Sequence, residues 1–196
     1  MIEAGMDVDA KKAYRVLMQV IKKYGSNYPR HFNMMLKALG KKEDAKIIAA
    51  GIVAYHNTKA SIMPYPEVPR TLVNLRDKGY ILCIASEGNA IKQWDKIIRL
   101  GLSHIFHRFF VSDEIGAEKS LEFYRRIAME LGLEPGQIAV VGDKIDRDVR
   151  PAEAIGMKAI LFDPEKKFRY KRRICNIKEL QGIFVGREVY GGCRKV

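Results

Sequence analysis

Two carboxylates, Asp143 and Asp148, stand five positions apart in the stretch Ile138 to Asp148, behind a run of Ile, Ala and Val closed by Gly142. The apolar run reads as a buried strand that the glycine breaks. In α/β proteins ligands gather at the carboxyl ends of parallel strands. Carboxylates placed there suit a hard cation such as Mg²⁺, which takes oxygen ligands and keeps some of its waters. A strand leading into a helix with an acidic first turn, which the helix dipole favours, is the competing reading. Two more strand ends carry polar groups. Ser86-Glu87-Gly88-Asn89 follows an apolar run and precedes a helix. The Ser86 hydroxyl and neighbouring backbone N–H groups there could cradle a phosphate, or Ser86 could simply cap the helix. Lys119 lies just before another helix and could offset phosphate charge, though many loop lysines only face water.

The elements that would position these groups fall into two parts. Up to about residue 64 the chain reads as helical, with helices over about 10–24, 31–39 and 43–59. The first is marked by Tyr14, Leu17, Met18 and Ile21 at helical spacing, with Asp9 as N-cap. Pro64, Pro66 and Pro69 then mark a turn-rich joint, the expected domain boundary. From 65 to 184 strands and helices alternate. Strands are predicted at 80–85, 109–111, 138–141 and 158–162, and helices near 70–78, 90–100, 121–131 and 149–155. Such alternation predicts a doubly wound parallel α/β sheet. Residues 185–196 read as a tail.

Composition narrows the setting. The chain has 196 residues, 47% apolar and 30% charged, as in a globular protein. It carries no run long enough to cross a bilayer and no signal-peptide pattern, so membranes are not expected as partners. Three cysteines, Cys83, Cys175 and Cys193, lack metal-ligand spacing and point to a reducing cytoplasm, with Cys83 as a small core thiol. The net charge of +12 favours anionic partners. Much of it sits in the run 166–173, where cations alternate with Phe168 and Tyr170. Such a run can bind single-stranded nucleic acid, but more often it is a solvated surface segment.

In this order the strand ends resemble the haloacid dehalogenase-like (HAD) hydrolase superfamily. Ile84-Ala85-Ser86 resembles its motif II, Lys119 its motif III, and Val140-Val141-Gly142-Asp143 with Asp148 its motif IV. The stretches Tyr24 to Phe32, Ala54 to Lys59 and Gly88 to Trp94 are similar to the archaeal glyceraldehyde 3-phosphate phosphatase branch of that superfamily. The resemblance implies a small helical cap and a Rossmann-like core, with Mg²⁺-dependent transfer of a phosphoryl group from a small metabolite to an aspartate, then hydrolysis. It implies that Ser86 holds the phosphoryl group and Lys119 offsets its charge. Asp143 would ligate Mg²⁺ and Asp148 orient the metal's waters, while Glu87, Gly88 and Asn89 complete the substrate loop. Substrate selection would fall to the cap, with Tyr28, Arg30, His56 and Lys59 as candidates, although a hydrogen-bonded helix histidine is the ordinary reading of His56.

Motif I of that family, an apolar strand ending in Asp-x-Asp that supplies the nucleophile and the general acid and base, is not found. Asp7-Val8-Asp9 imitates its spelling but leads directly into an amphipathic helix, which is N-cap context. The resemblance places that first strand between those ending at Ser86 and Asp143, so these should either close on each other or keep open edges. About 30 residues, one strand-turn-helix piece, are expected to be missing. Ser120 and Glu87 depart from the usual proline and aspartate. Three hypotheses follow: a phosphatase whose start is placed too far downstream, an inactive relative that still binds Mg²⁺ and phosphate, and a nucleic-acid binder using residues 166–173. The oligomeric state is left open.

Overall fold

The structure, a computed structural model, describes residues 1–25 and 28–184. The predicted tail, Cys193, and Ser26 and Asn27 lie outside the described residues. The chain divides into two compact units, Met1–Ile62 and a second from Met63 onward.

The first unit is built on three helices: α1 (Ala10–Tyr24), α2 (His31–Ala38) and α3 (Ala45–Ala60). Asp9 caps α1, its carboxylate accepting the Lys12 N–H at 2.8 Å. Asp44 does the same for α3 through Ile47 N–H. Each satisfies a backbone donor that the first helical turn leaves unpaired. The core gathers Met6, Ala13, Met35 and Leu36, with Leu17, Ile47 and Ile48 against them. The face α1 buries differs from the expected one. Ala13 and Val20 are buried while Tyr14 and Met18 are exposed, because the contact stripe runs through positions i, i+4 and i+7 from Ala13.

The second unit alternates strand and helix as expected: α4 (Val68–Asp77), β1 (Cys83–Ser86), α5 (Ala90–Arg99), β2 (Arg108–Val111), α6 (Ser112–Ile115), α7 (Leu121–Leu131), β3 (Ala139–Gly142), α8 (Arg150–Ala154), β4 (Lys158–Phe162), β5 (Arg173–Ile174) and α9 (Leu180–Phe184). All strand pairs are parallel. β4 shows why both faces must be covered. Ala159 and Leu161 join a core with Phe110, Phe123, Tyr124, Val149 and Ala152. Ile160, pointing the other way, packs with Leu75, Ile174 and Leu180. Strand residues alternate sides, and a parallel sheet buries both.

The strands form two sheets, not one: β1 pairs with β2, and β3-β4-β5 form the other. Of the two arrangements expected for the strands ending at Ser86 and Asp143, open edges are what is found, since among the described residues neither β1 nor β3 pairs on its other side. The strand expected to be buried at 138–141 is corrected accordingly. It runs from Ala139 to Gly142 and is only half-buried, with Val141 exposed, because one edge faces no strand. β1 also starts later than predicted, at Cys83, and is half-buried throughout. β5, which begins at the last residue of the basic run, was not predicted.

Candidate active site

Asp148 is a buried, closely held carboxylate of the second unit. β3 ends at Gly142, and the chain then makes a π-helical turn over Ile145–Val149. Such turns concentrate at functional sites because the extra residue redirects a side chain. Here the turn carries Asp148 back against the strand end. A Cβ on Gly142 would collide with Asp148 Cβ, Cγ and Oδ2, so the close approach requires glycine. Asp148 Oδ2 accepts the Lys144 N–H at 3.0 Å. Its Oδ1 meets Lys119 Nζ at 2.5 Å, and the two side chains are 4% and 15% exposed. The Tyr124 hydroxyl, from α7, also reaches Oδ1 at 3.4 Å and the Arg147 carbonyl at 3.3 Å. Burial first, and then the Asp148 charge, pushes the Tyr124 hydroxyl pKa well above its ordinary value. It is therefore a neutral donor throughout the physiological range.

Lys119 is held at the start of α7. Ser120, the departure from the usual proline, caps that helix by accepting the Phe123 N–H at 3.4 Å. A serine there performs the N-cap function directly. Asp143, by contrast, is exposed, and among the described residues its carboxylate has no hydrogen-bond or ion-pair partner. Asp146 pairs with Arg150 in solvent. Asp148 and Asp143 thus differ in kind: Asp148 is buried as the counter-charge of Lys119, and Asp143 is exposed with no partner among the described residues.

At the end of β1 the Ser86 hydroxyl donates to Gln93 Oε1 at 2.8 Å, and Lys96 Nζ reaches the same oxygen at 3.2 Å. Gly88, with φ of +124°, turns the chain so that its N–H donates to Ser112 Oγ at 2.9 Å. Asn89 caps α5, and Asp113 accepts from both the Asn89 amide and the Ala90 N–H. Much of the expected phosphate cradle is therefore satisfied within the protein. Ser86 hydrogen-bonds Gln93 rather than Lys119 or either aspartate. The link between the loops is Arg147, whose guanidinium binds Glu87 at 3.0 Å and Glu118 at 3.0 Å. The Glu118 hydrogen bond first, and then the Glu87 charge, raises the Arg147 pKa. One cation thus ties together the loops after β1, before α7 and after β3.

Gln93, Ser112, Asp113, Glu118, Tyr124 and Arg147 were not singled out from sequence. Asp113 carried the same signal as Asp143, an acid just past a parallel strand. Tyr124 fell inside the predicted helix over 121–131 without being marked.

Among the described residues no group of three or more His, Cys, Asp or Glu side chains forms a cation cage. Mg²⁺ does not need one. It is commonly bound through one or two carboxylates together with waters and substrate phosphate. An unpartnered Asp143 beside a fixed Asp148 fits that donor set.

The basic run is tied down locally. The buried Asp163 accepts the Lys167 and Phe168 N–H groups, Lys167 pairs with Glu165, and Arg172 lies 3.8 Å from Glu153. Among the described residues no helix is long and apolar enough to cross a membrane.

The family model of haloacid dehalogenase-like hydrolases matches residues 5–156. The chain belongs to that family. It is 44% identical to the glyceraldehyde 3-phosphate phosphatase of Methanopyrus kandleri over 164 residues, 82% of this chain and 70% of that one. It is 41% identical to the protein of the same description from Methanocaldococcus jannaschii, over 80% of this chain and 70% of that one. Among solved structures, a HAD phosphatase from Thermococcus onnurineus superimposes with a TM-score of 0.65 at 24% identity, covering 90% of this chain and 80% of that one. A HAD hydrolase from Bacillus subtilis, bound to magnesium, gives 0.69 at 15% identity over 92% and 86% of the two chains. The α/β architecture of the second unit is thus that of the HAD hydrolases, and the chain groups with phosphoric monoester hydrolases.

Proposed function

We propose that the second unit holds Mg²⁺ and the phosphoryl group of a small metabolite resembling glyceraldehyde 3-phosphate, as a cytoplasmic HAD phosphatase does. The observation that carries this reading is the contrast at the end of β3. A buried Lys119–Asp148 pair fixes the site's charge, and the unpartnered Asp143 is left to take a ligand. Asp143 would ligate the metal, and Asp148 would hold its waters from a position fixed by Lys119, Lys144 and Tyr124. Bound there, the ion would neutralise charge on the phosphoryl oxygens. Ser86 would turn its hydroxyl from Gln93 to the phosphoryl group, and Glu87, Gly88 and Asn89 would shape the loop around it. Lys119 adds positive charge matched to the spread negative charge of phosphoryl transfer. Selection among substrates would fall to the first unit. Tyr28 stacks on Tyr24 there, and Arg30, His56 and Lys59 provide polar groups.

By its motifs, the chain offers no aspartate that matches the attacking carboxylate of the family. Asp9 is spent as the α1 cap, and Asp7 precedes it. This supports the second reading, a relative that binds Mg²⁺ and phosphate without turnover. Loss of a covalent nucleophile costs on the order of 10⁶ in rate in one other covalent enzyme. The test is an assay of the 196-residue chain with Mg²⁺ and p-nitrophenyl phosphate. Binding of inorganic phosphate without turnover is expected. Strong turnover, lost in Asp143→Asn, would mean the nucleophile lies within these residues.

A further inference from the structure

Three of the residues assigned to the site have a sequence neighbour in a second ring of side chains. Glu87 follows Ser86, Glu118 precedes Lys119 and Arg147 precedes Asp148. Arg147 Nη1 donates to Glu87 Oε1 and to Glu118 Oε2, both at 3.0 Å. This ring is more open than the site it borders. The Arg147, Glu87 and Glu118 side chains are 46%, 26% and 78% exposed, against 4% for Asp148 and 15% for Lys119.

Tying the loops together is one use of such a ring, and its charge has another. Two carboxylates outweigh one guanidinium, so the ring carries one net negative charge beside a site suited to an anion. That charge is felt inside the site: after burial and Asp148, Glu87 is a further cause that keeps the Tyr124 hydroxyl protonated. Among the described residues Glu87 Oε2 and Glu118 Oε1 accept no hydrogen bond. An ionised carboxylate can only accept. These two oxygens therefore suit a hydroxyl group and repel a second carboxylate or phosphate. Specificity is often obtained by repulsion built against the wrong ligand as much as by attraction to the right one.

We propose that Glu87 and Glu118, held in place by Arg147, are specificity-determining residues. They admit phosphate monoesters whose remainder is uncharged and bears hydroxyl groups, and they exclude those that carry a second anionic group. The inference rests on the reading of the site as one for Mg²⁺ and a phosphoryl group, and adds which chemical features decide entry. The phosphoryl group lies beside Lys119, while the far end of the molecule, toward solvent, meets the ring.

Isosteric substitution separates charge from shape. Glu87→Gln and Glu118→Gln each keep an oxygen for Arg147 to bind, and the double variant turns the ring's net charge from negative to positive. Isothermal titration calorimetry of the full 196-residue chain with Mg²⁺ compares inorganic phosphate, glycerol 3-phosphate and 3-phosphoglycerate. The last two differ only in a hydroxymethyl group against a carboxylate. The parent chain should bind glycerol 3-phosphate at least about tenfold more tightly. The double variant should lose that preference by gaining affinity for 3-phosphoglycerate, with glycerol 3-phosphate little changed. In about 1 M salt, where the Debye length is about 3 Å, the parent's preference should shrink. The parent comparison and its salt dependence stand whether or not the double variant folds. If inorganic phosphate binds, equal affinities in the parent, or an undiminished preference in the double variant, would overturn the proposal and leave the reading of the site intact. No binding of inorganic phosphate would overturn that reading, and the proposal with it.

Discussion

Removing the ammonium group of Lys119 should destabilise the second unit by about 3 kcal/mol, near the lower end of what breaking a buried ion pair costs. At 2.5 Å and an effective dielectric constant of about 20, the attraction with Asp148 is on the order of 7 kcal/mol before desolvation is subtracted. Lys119→Met deletes that attraction and leaves a carboxylate 4% exposed. The Lys144 N–H and the Tyr124 hydroxyl remain as donors, which keeps the cost from reaching the upper end. Asp148→Asn should cost less, about 1–2 kcal/mol. Lys119 can then extend toward water, and the amide keeps the fit beneath Gly142. The double variant should fall short of the sum of the singles by about 2 kcal/mol, the coupling expected of residues in one network. Urea unfolding followed by Trp94 emission reads the second unit selectively, since Trp94 is the chain's one tryptophan and its ring lies 4.9 Å from Phe109. Single variants within about 0.5 kcal/mol of the parent, and strictly additive, would refute the reasoning, since exposed pairs behave that way.

Other perturbations test neighbouring links. Gly142→Ala forces a methyl group into the Asp148 carboxylate and should cost about 1–3 kcal/mol by overpacking, where glycine to alanine in an open strand would help; a stabilised variant in thermal melts would contradict the close approach. Arg147→Gln cuts the tie between Glu87 and Glu118. Its exposure limits the stability change to about 1 kcal/mol, while hydrogen exchange at 87–90 and 117–119 should quicken; unchanged exchange would show that the tie orders nothing. Tyr124, held protonated by burial and by Asp148, has a folded pKa above the unfolded value of about 10. Its contribution is therefore fully present below that pH and is lost as pH rises through the folded pKa. Tyr170, raised to about 12 chiefly by burial, adds to the loss between about 10 and 12. Denaturant midpoints should fall above about pH 10, less steeply in Tyr124→Phe, and an equal slope in that variant would refute the assignment.

The fold was legible where periodicity and local chemistry agreed. The helix over 121–131 and the strand over 158–162 match their predicted spans, because a capping serine and a run of Ala, Ile and Leu fix their ends. β1 and β3 misled as to burial. An apolar run signals a strand with two covered faces, but edge pairing depends on a neighbour that the run itself does not encode. Of the site, the types at Ser86, Lys119, Asp143 and Asp148 could be read, but not which would be free. That depends on the π-helical turn after Lys144 and on partners such as Tyr124, far from Asp148 in sequence, and Gln93, which takes the Ser86 hydroxyl.

The account rests on Asp143 being the ligand and Asp148 its buried support. Mn²⁺ is a paramagnetic stand-in for Mg²⁺, and its titration into the chain, followed by electron paramagnetic resonance, tests this most directly. Binding should tighten when inorganic phosphate is present, and Asp143→Asn should weaken it by at least about tenfold with the melting temperature unchanged. Identical binding by Asp143→Asn, with or without phosphate, would contradict the site.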